Sequence, residues 1–411
     1  MNVYLATILV ILVARLLLEI IVETLNLRHL KETLPDEFQG YFDDKRYRKS
    51  QEYLRDTTRF GILSSSFDTV VPIIFMLVGG FNWVDVIARS AHLGDILTGL
   101  IFTAILLLGQ LLLSIPFSLY STFVIEERYG FNKTTPRTFM LDLVKGIVLT
   151  ALVGFPILAA VFWIFATWSD VAWLYSWIAV SMFQIVMVFA APTLIMPLFN
   201  RFKPLEKEEL RDAIQTYANE QRFAMKGVFE MDGSKRSAKS NAFFTGFGRS
   251  RRIVLFDTLI AKHTIPELVA IVAHEMGHYK KQHITQGILR AILASGITFY
   301  VLSLFIGNEG LFAAFRMDHI SIYASFVFFG FLYSPLAMTI GVIENAISRR
   351  HEFEADAFAA TTTECSDSMI TALKKLSSDN LSNLTPHPFK VFIEYSHPPV
   401  LQRIQALERI G

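Results

Sequence analysis

The chain of 411 residues is short of charge and nearly without cysteine. Asp, Glu, Lys and Arg make up only 18% of it, while hydrophobic residues reach 52%. A soluble globule of this length needs far more polar side chains to cover its surface. The mean hydropathy of +0.41 points the same way. The single cysteine, Cys365, excludes an intramolecular disulfide and a thiolate metal site. A net charge of +1 gives no basic field for nucleic acid, so none is expected as a partner. The sequence shows no internal repeat and no low-complexity tract. The opening apolar run, Val3 to Val22, lacks a basic leader and a small-residue cleavage site, which favours a membrane helix over a signal peptide.

What is abundant is long apolar runs. A helix needs about 20 apolar residues to cross a hydrocarbon core of roughly 30 Å. Seven runs qualify, at about 3–25, 60–84, 96–125, 142–167, 171–198, 284–306 and 320–343. Spans four and five are joined by a tight turn. Trp163, Trp168, Trp173 and Trp177 lie around it, as an aromatic belt requires. Arg15 and Glu19, four apart on span one, are placed to pair along one helix face. Asp68 and Arg290 also fall within spans, where a charge faces a bundle interior or a watery cavity, or else snorkels to the interface or marks a misplaced boundary. The 26–59 loop carries eight Lys and Arg, from Arg28 to Arg59, and basic residues follow spans three, five and seven as well. The positive-inside rule then predicts an outside N-terminus and cytoplasmic segments after the odd-numbered spans. Residues 205–221 have the spacing of an amphipathic helix. Residues 226–260, punctuated by Gly and Asp-Gly, predict a small sheet with a hairpin.

The organisation expected is therefore 1–200, spans one to five with the 26–59 loop; 201–283, a soluble catalytic segment; 284–345, spans six and seven; and 346–411, a second catalytic segment. The fold class expected is mainly α: a polytopic membrane protein of seven spanning helices with a small α+β part outside the membrane.

The chemistry concentrates in "IVAHEMGHYKKQH", 271–283. The stretch has helix periodicity, so His274 and His278, four apart, emerge on one face and offer two imidazole nitrogens to one zinc ion. Glu275 follows His274 and is placed to deprotonate a metal-bound water. His283, five past His278, falls off that face and reads as a surface histidine beside the lysines. A third ligand is sought in "SRRHEFEADAFA", 348–359, where Glu352 and Asp356 share a helix face. One could bind the metal while the other hydrogen-bonds a ligating histidine from behind. Two apolar spans separate the motifs, and an even number of crossings returns the chain to its starting side, so the two can meet.

Six stretches in this order resemble the type I CAAX prenyl endopeptidases, integral-membrane zinc metalloproteases: "EERYGFNKTT" (126–135), "IMPLFNRF" (195–202), "SKRSAKSNAFFTGFG" (234–248), "VAHEMGHYKKQH" (272–283), "SRRHEFEADAFA" and "NLTPHPFKVFIEYSHPPVLQRI" (383–404). The likeness covers nearly the whole chain, and it implies that the seven helices form a barrel enclosing a chamber, with a small α+β zincin-like catalytic domain at the cytoplasmic side. It implies one zinc ion held by His274, His278 and Glu352, with Glu275 as general base and Asp356 behind a ligating histidine. It implies that His397 faces the reacting carbonyl and that Arg403 binds substrate or orders the site. Asn241, with Ala242 and Phe243, would lie on an edge strand that pairs with an extended peptide. The implied reaction is removal of a C-terminal tripeptide from a prenylated peptide by a monomer embedded in the bilayer. A quality-control protease resembling the heat-shock membrane zincins is the alternative enzyme. A transporter or receptor whose polar motif is structural is the alternative outside enzymes.

Overall fold

A computed structural model describes residues 2–246 and 251–410; residues 247–250, which include the end of the stretch "SKRSAKSNAFFTGFG", lie outside it. Among the described residues, seven helices are long and apolar enough to cross a membrane: Val3–Arg28, Asp44–Leu77, Asp95–Glu126, Pro136–Thr167, Ala172–Phe199, His283–Ser303 and Ile322–Thr363. Their starts follow from local chemistry. Asn2 and Asp43 accept backbone N–H groups as N-caps, and Thr135 caps a helix whose first residue is Pro136.

Each span packs against the next in sequence, and the seventh returns to the first, so the seven close into a ring. No span buries more than 17% of its most apolar window. A solid bundle would bury a continuous stripe on each helix; a wall one helix thick, with lipid outside and a chamber inside, would not. One end of the ring is plugged by a phenylalanine-rich core in which Phe102, Phe162, Tyr323 and Phe328 of the spans meet Phe81 and Phe312 from two short helices, Gly80–Arg89 and Glu309–Ala314. The motif-bearing segments cap the other end.

The structure revises several sequence-based boundaries. Span two begins at Asp44, well before 60, because its basic first half stays helical in the cap, and it ends at Leu77 ahead of Gly79 (φ 78°). Span four begins at Pro136. Span seven does not stop near 343: one helix of 42 residues runs from Ile322 to Thr363, through the 345/346 division. Glu19 accepts a hydrogen bond from Ser65 on span two, and no ion pair joins it to Arg15 among the described residues. Arg290 pairs with Glu344 across spans six and seven at 2.8 Å. Trp163 and Trp168 pack edge to face at the turn. Trp177 instead donates to the Ile292 carbonyl of span six at 2.7 Å, so it locks two spans together within the wall.

The cap contains a four-stranded sheet: β1 (Phe202–Pro204), β2 (Gly227–Met231), β3 (Ala242–Thr245) and β4 (Arg252–Phe256), in the order β1-β2-β4-β3. β2 and β4 run parallel, while β3 pairs antiparallel with β4 and leaves its other edge open. The helix Glu208–Glu220 and the helix bearing HEMGH pack on this sheet over a core of Ile214, Val228, Ile253, Leu255, Leu268 and Val272. The cap is bolted to the ring ends: Lys239 pairs with Glu126, Arg236 with Asp142, and Lys390 with Glu23. All the segments that follow odd-numbered spans thus lie at one end of the ring.

Candidate metal centre

The helix Ile265–Lys280 carries HEMGH. Its start is fixed by a capping box, in which Thr264 and Glu267 satisfy each other's backbone N–H groups, with Pro266 in the first turn. Lys375 holds Glu267 from outside at 2.7 Å. The helix lies against the long seventh span. The contact is close because position 277 has no side chain: a methyl there would come 3.0 Å from the Cα of Ala355.

That approach brings the ligand atoms of three residues together, two imidazole nitrogens and a carboxylate. The Nε2 atoms of His274 and His278 are 3.1 Å apart. Glu352 Oε2 lies 3.5 Å from the first and its Oε1 3.3 Å from the second. A tetrahedral zinc with bonds near 2.1 Å to nitrogen and oxygen has ligand–ligand edges of about 3.4 Å. The observed triangle has the size such an ion requires. Glu352 Oε2 is also buried and accepts no well-aligned hydrogen bond among the described residues, although Arg403 stands within ion-pair distance of it.

Behind His274 stands a buried relay. Its Nδ1 donates to Asp356 Oδ1 at 2.8 Å, which leaves Nε2 as a lone pair facing the triangle. Arg403, from the helix Val400–Glu408, grips Asp356 with two bonds, Nε to Oδ2 at 2.8 Å and Nη2 to Oδ1 at 2.7 Å. Its Nη1 lies 3.2 Å from Glu352 Oε2. These bonds hold the Asp356 carboxylate against His274, and Arg403 also lines a cavity at the centre.

Two cavities meet at the centre. One of about 450 Å³ is lined by Asn241, Ala242, Glu275, Leu373, His397 and Arg403. The other, about 520 Å³, opens toward spans six and seven past Phe243, Glu275, His278, Arg290 and Glu344. Glu275 borders both. Burial pushes its carboxyl pKa above the ordinary range, against the opposing pull of His274 and His278. His397, on the "SHPP" turn, is largely solvent-exposed, and its Nε2 lies 3.4 Å from Glu352 Oε1. Asn241 precedes β3, and its side-chain oxygen accepts from the Ala242 N–H at 2.9 Å. Ala242 and Phe243 lie on the open-edged strand.

The structure corrects the reading of His283. It is buried, not a surface residue, and its Nδ1 lies 3.0 Å from His278 Nδ1. The spacing argument assumed one continuous helix, whereas the chain turns at Gln282 (φ 60°) before span six begins.

This ring, with its metal-sized triangle and flanking carboxylate, defines a membrane-embedded metalloprotease. Comparison with known proteins gives the lineage. Residues 23–201 match the CAAX prenyl protease N-terminal model, five membrane helices, and residues 204–410 match peptidase family M48. The chain belongs to the CAAX prenyl protease 1 family of M48 peptidases. It is 34% identical to a CAAX prenyl protease 1 homolog of Arabidopsis thaliana, over 92% of this chain and 90% of that one. It is 30% identical to the CAAX prenyl protease 1 homolog of Homo sapiens, over 91% and 88%. The crystal structure of S. mikatae Ste24p superposes with a TM-score of 0.94 at 31% identity, covering 98% of this chain and 99% of that one.

Proposed function

We propose that the chain is a zinc endopeptidase that removes the C-terminal tripeptide from prenylated peptides, with its cap on the cytoplasmic side of the membrane. The observation that carries the metal assignment is the triangle of His274, His278 and Glu352, with edges of 3.1 to 3.5 Å. Two imidazoles and one carboxylate form the donor set of a catalytic zinc site, which keeps its fourth position open. Zinc bound there would acidify a water and polarise the scissile carbonyl.

The chain's own groups supply the rest. Glu275, ionised, takes the proton of the attacking water and hands it to the leaving amine. His397 donates a hydrogen bond to the oxygen that gains negative charge. The substrate backbone adds to the open edge of β3 along Ala242 and Phe243, with Asn241 at one end, so main-chain bonds hold it with little regard to sequence. Asp356 and Arg403 keep His274 in the tautomer that presents Nε2. Every one of these groups comes from one chain, so a monomer suffices.

The prenyl preference rests on the chamber that the seven spans enclose, which the cavity past Glu275 and His278 adjoins; Phe243, Phe244 and Ile284 offer apolar wall there beside the Arg290–Glu344 pair. Sidedness rests on the eight Lys and Arg of 26–59, all at the cap end. The test is cleavage of matched peptides with and without a farnesyl cysteine by the purified protein. A kcat/KM at least about tenfold higher for the farnesylated peptide supports the reading, a modest difference on the scale of apolar burial. Equal rates would favour clipping of damaged membrane proteins.

A further inference from the structure

His283 opens span six, and Gln282 before it adopts the left-handed conformation that turns the chain out of the motif helix. Along one unbroken helix, five residues would carry His283 about 140° around the axis from His278. The corner removes that separation. The two rings meet edge to face with centroids 5.2 Å apart, and their Nδ1 atoms are 3.0 Å apart. The other nitrogen of His283, Nε2, lies 3.1 Å from Glu354 Oε2, on the helix that carries Glu352. His351 stacks on His283 at 3.8 Å, with ring planes 6° apart, and Arg350 donates to Glu354 Oε1 at 2.9 Å.

Counting hydrogens along this line fixes their direction. An ionised Glu354 only accepts, so His283 Nε2 carries the hydrogen and His283 Nδ1 is a lone pair. His278 Nδ1 must then donate to it. On a neutral His278, the form that binds metal, this leaves Nε2 as a lone pair on the side of Glu352 and His274 Nε2.

We infer that His283 and Glu354 are positioning residues. They form a second histidine–carboxylate relay that sets the ring orientation and tautomer of His278, as Asp356 and Arg403 do for His274. The inference rests on His278 being a metal ligand. The relay runs through the first turn of span six, so it also ties that span to the metal centre. It is the weaker of the two: the Asp356 side chain is 2% exposed and doubly held by Arg403, whereas that of Glu354 is 35% exposed.

The test is zinc competition against a chromophoric chelator, on full-length protein stripped of metal in detergent micelles. His283→Ala removes the acceptor, and the zinc Kd should rise about 10- to 100-fold, the usual effect of losing such a partner. His283→Asn, whose amide oxygen replaces Nδ1 as acceptor, should recover most of the loss. Glu354→Gln should raise the Kd less than His283→Ala. The melting temperature of each metal-free variant reports whether the fold survives. A His283→Ala protein that folds and binds zinc within about twofold of wild type would overturn the relay, and so would His283→Asn binding as weakly as His283→Ala. If His283→Ala does not fold, Glu354→Gln decides: an unchanged Kd overturns the inference. Wild-type protein that binds zinc tightly but cleaves no peptide would remove the protease reading and leave the relay standing.

Discussion

Gly277 and Ala355 mark the point where the motif helix touches the seventh span. A Cβ added to Gly277 would lie 3.0 Å from Ala355 Cα, 3.2 Å from its carbonyl oxygen and 3.2 Å from Phe358 Cβ. Two of these atoms are backbone and cannot swing aside. Gly277→Val should therefore push the helices apart and separate Glu352 from the two histidines, because all three depend on this crossing. Zinc content and activity should fall together, measured on protein that still runs as a folded monodisperse species. Full zinc occupancy in that variant would show that the contact can give.

Removing the base should part the two readouts. Glu275 lies outside the ligand triangle, so Glu275→Gln should retain zinc while kcat falls by about 10²- to 10⁴-fold, the usual share of general acid–base catalysis. Residual cleavage near the wild-type rate would reassign the base.

Breaking the Asp356–Arg403 pair should cost stability as well as activity. Both groups are buried, and Arg403→Met strands the Asp356 charge. Loss of one partner of a buried pair costs about 3–5 kcal/mol. A lower melting temperature and weaker zinc retention are expected, and a thermal melt of the metal-free protein separates the two effects.

Zinc affinity should depend on pH in a definite direction. Burial opposes a charge on His278, but the hydrogen bond and charge of Glu352 outweigh it, and the imidazole pKa stands above its ordinary value. Metal binding needs the neutral ring. Protons therefore compete up to a higher pH than for a free histidine, near 6.5. Affinity should climb by about tenfold per pH unit for each proton displaced, continuing above that value. Chelator titrations between about pH 6 and 8 check this, and a flat profile above the ordinary imidazole pKa would contradict it.

Much of the site is readable in the sequence because helix periodicity converts spacing into a shared face. HEMGH on Ile265–Lys280 and the pair Glu352 and Asp356 on Ile322–Thr363 are cases of this rule. The count of apolar spans between them also fixes their common side. The rule fails where the helix does. His283 lies beyond a left-handed corner that no spacing reveals. Hydropathy alone ends span seven near 343, because the polar "ENAISRRHEFEAD" carries no signal for a membrane helix. In fact the helix leaves the bilayer without ending and carries the ligand into the cap. The grip of Arg403 on Asp356 joins residues 47 positions apart, and periodicity says nothing about it.

The central claim is that two helices separated by a membrane hairpin share one zinc ion. Elemental analysis of purified full-length protein and of Glu352→Ala, dialysed side by side, tests it most directly. The account predicts about one zinc per wild-type chain, as for a single catalytic site, and loss of most of it from the variant. Glu352→Ala that keeps its zinc in full would contradict it.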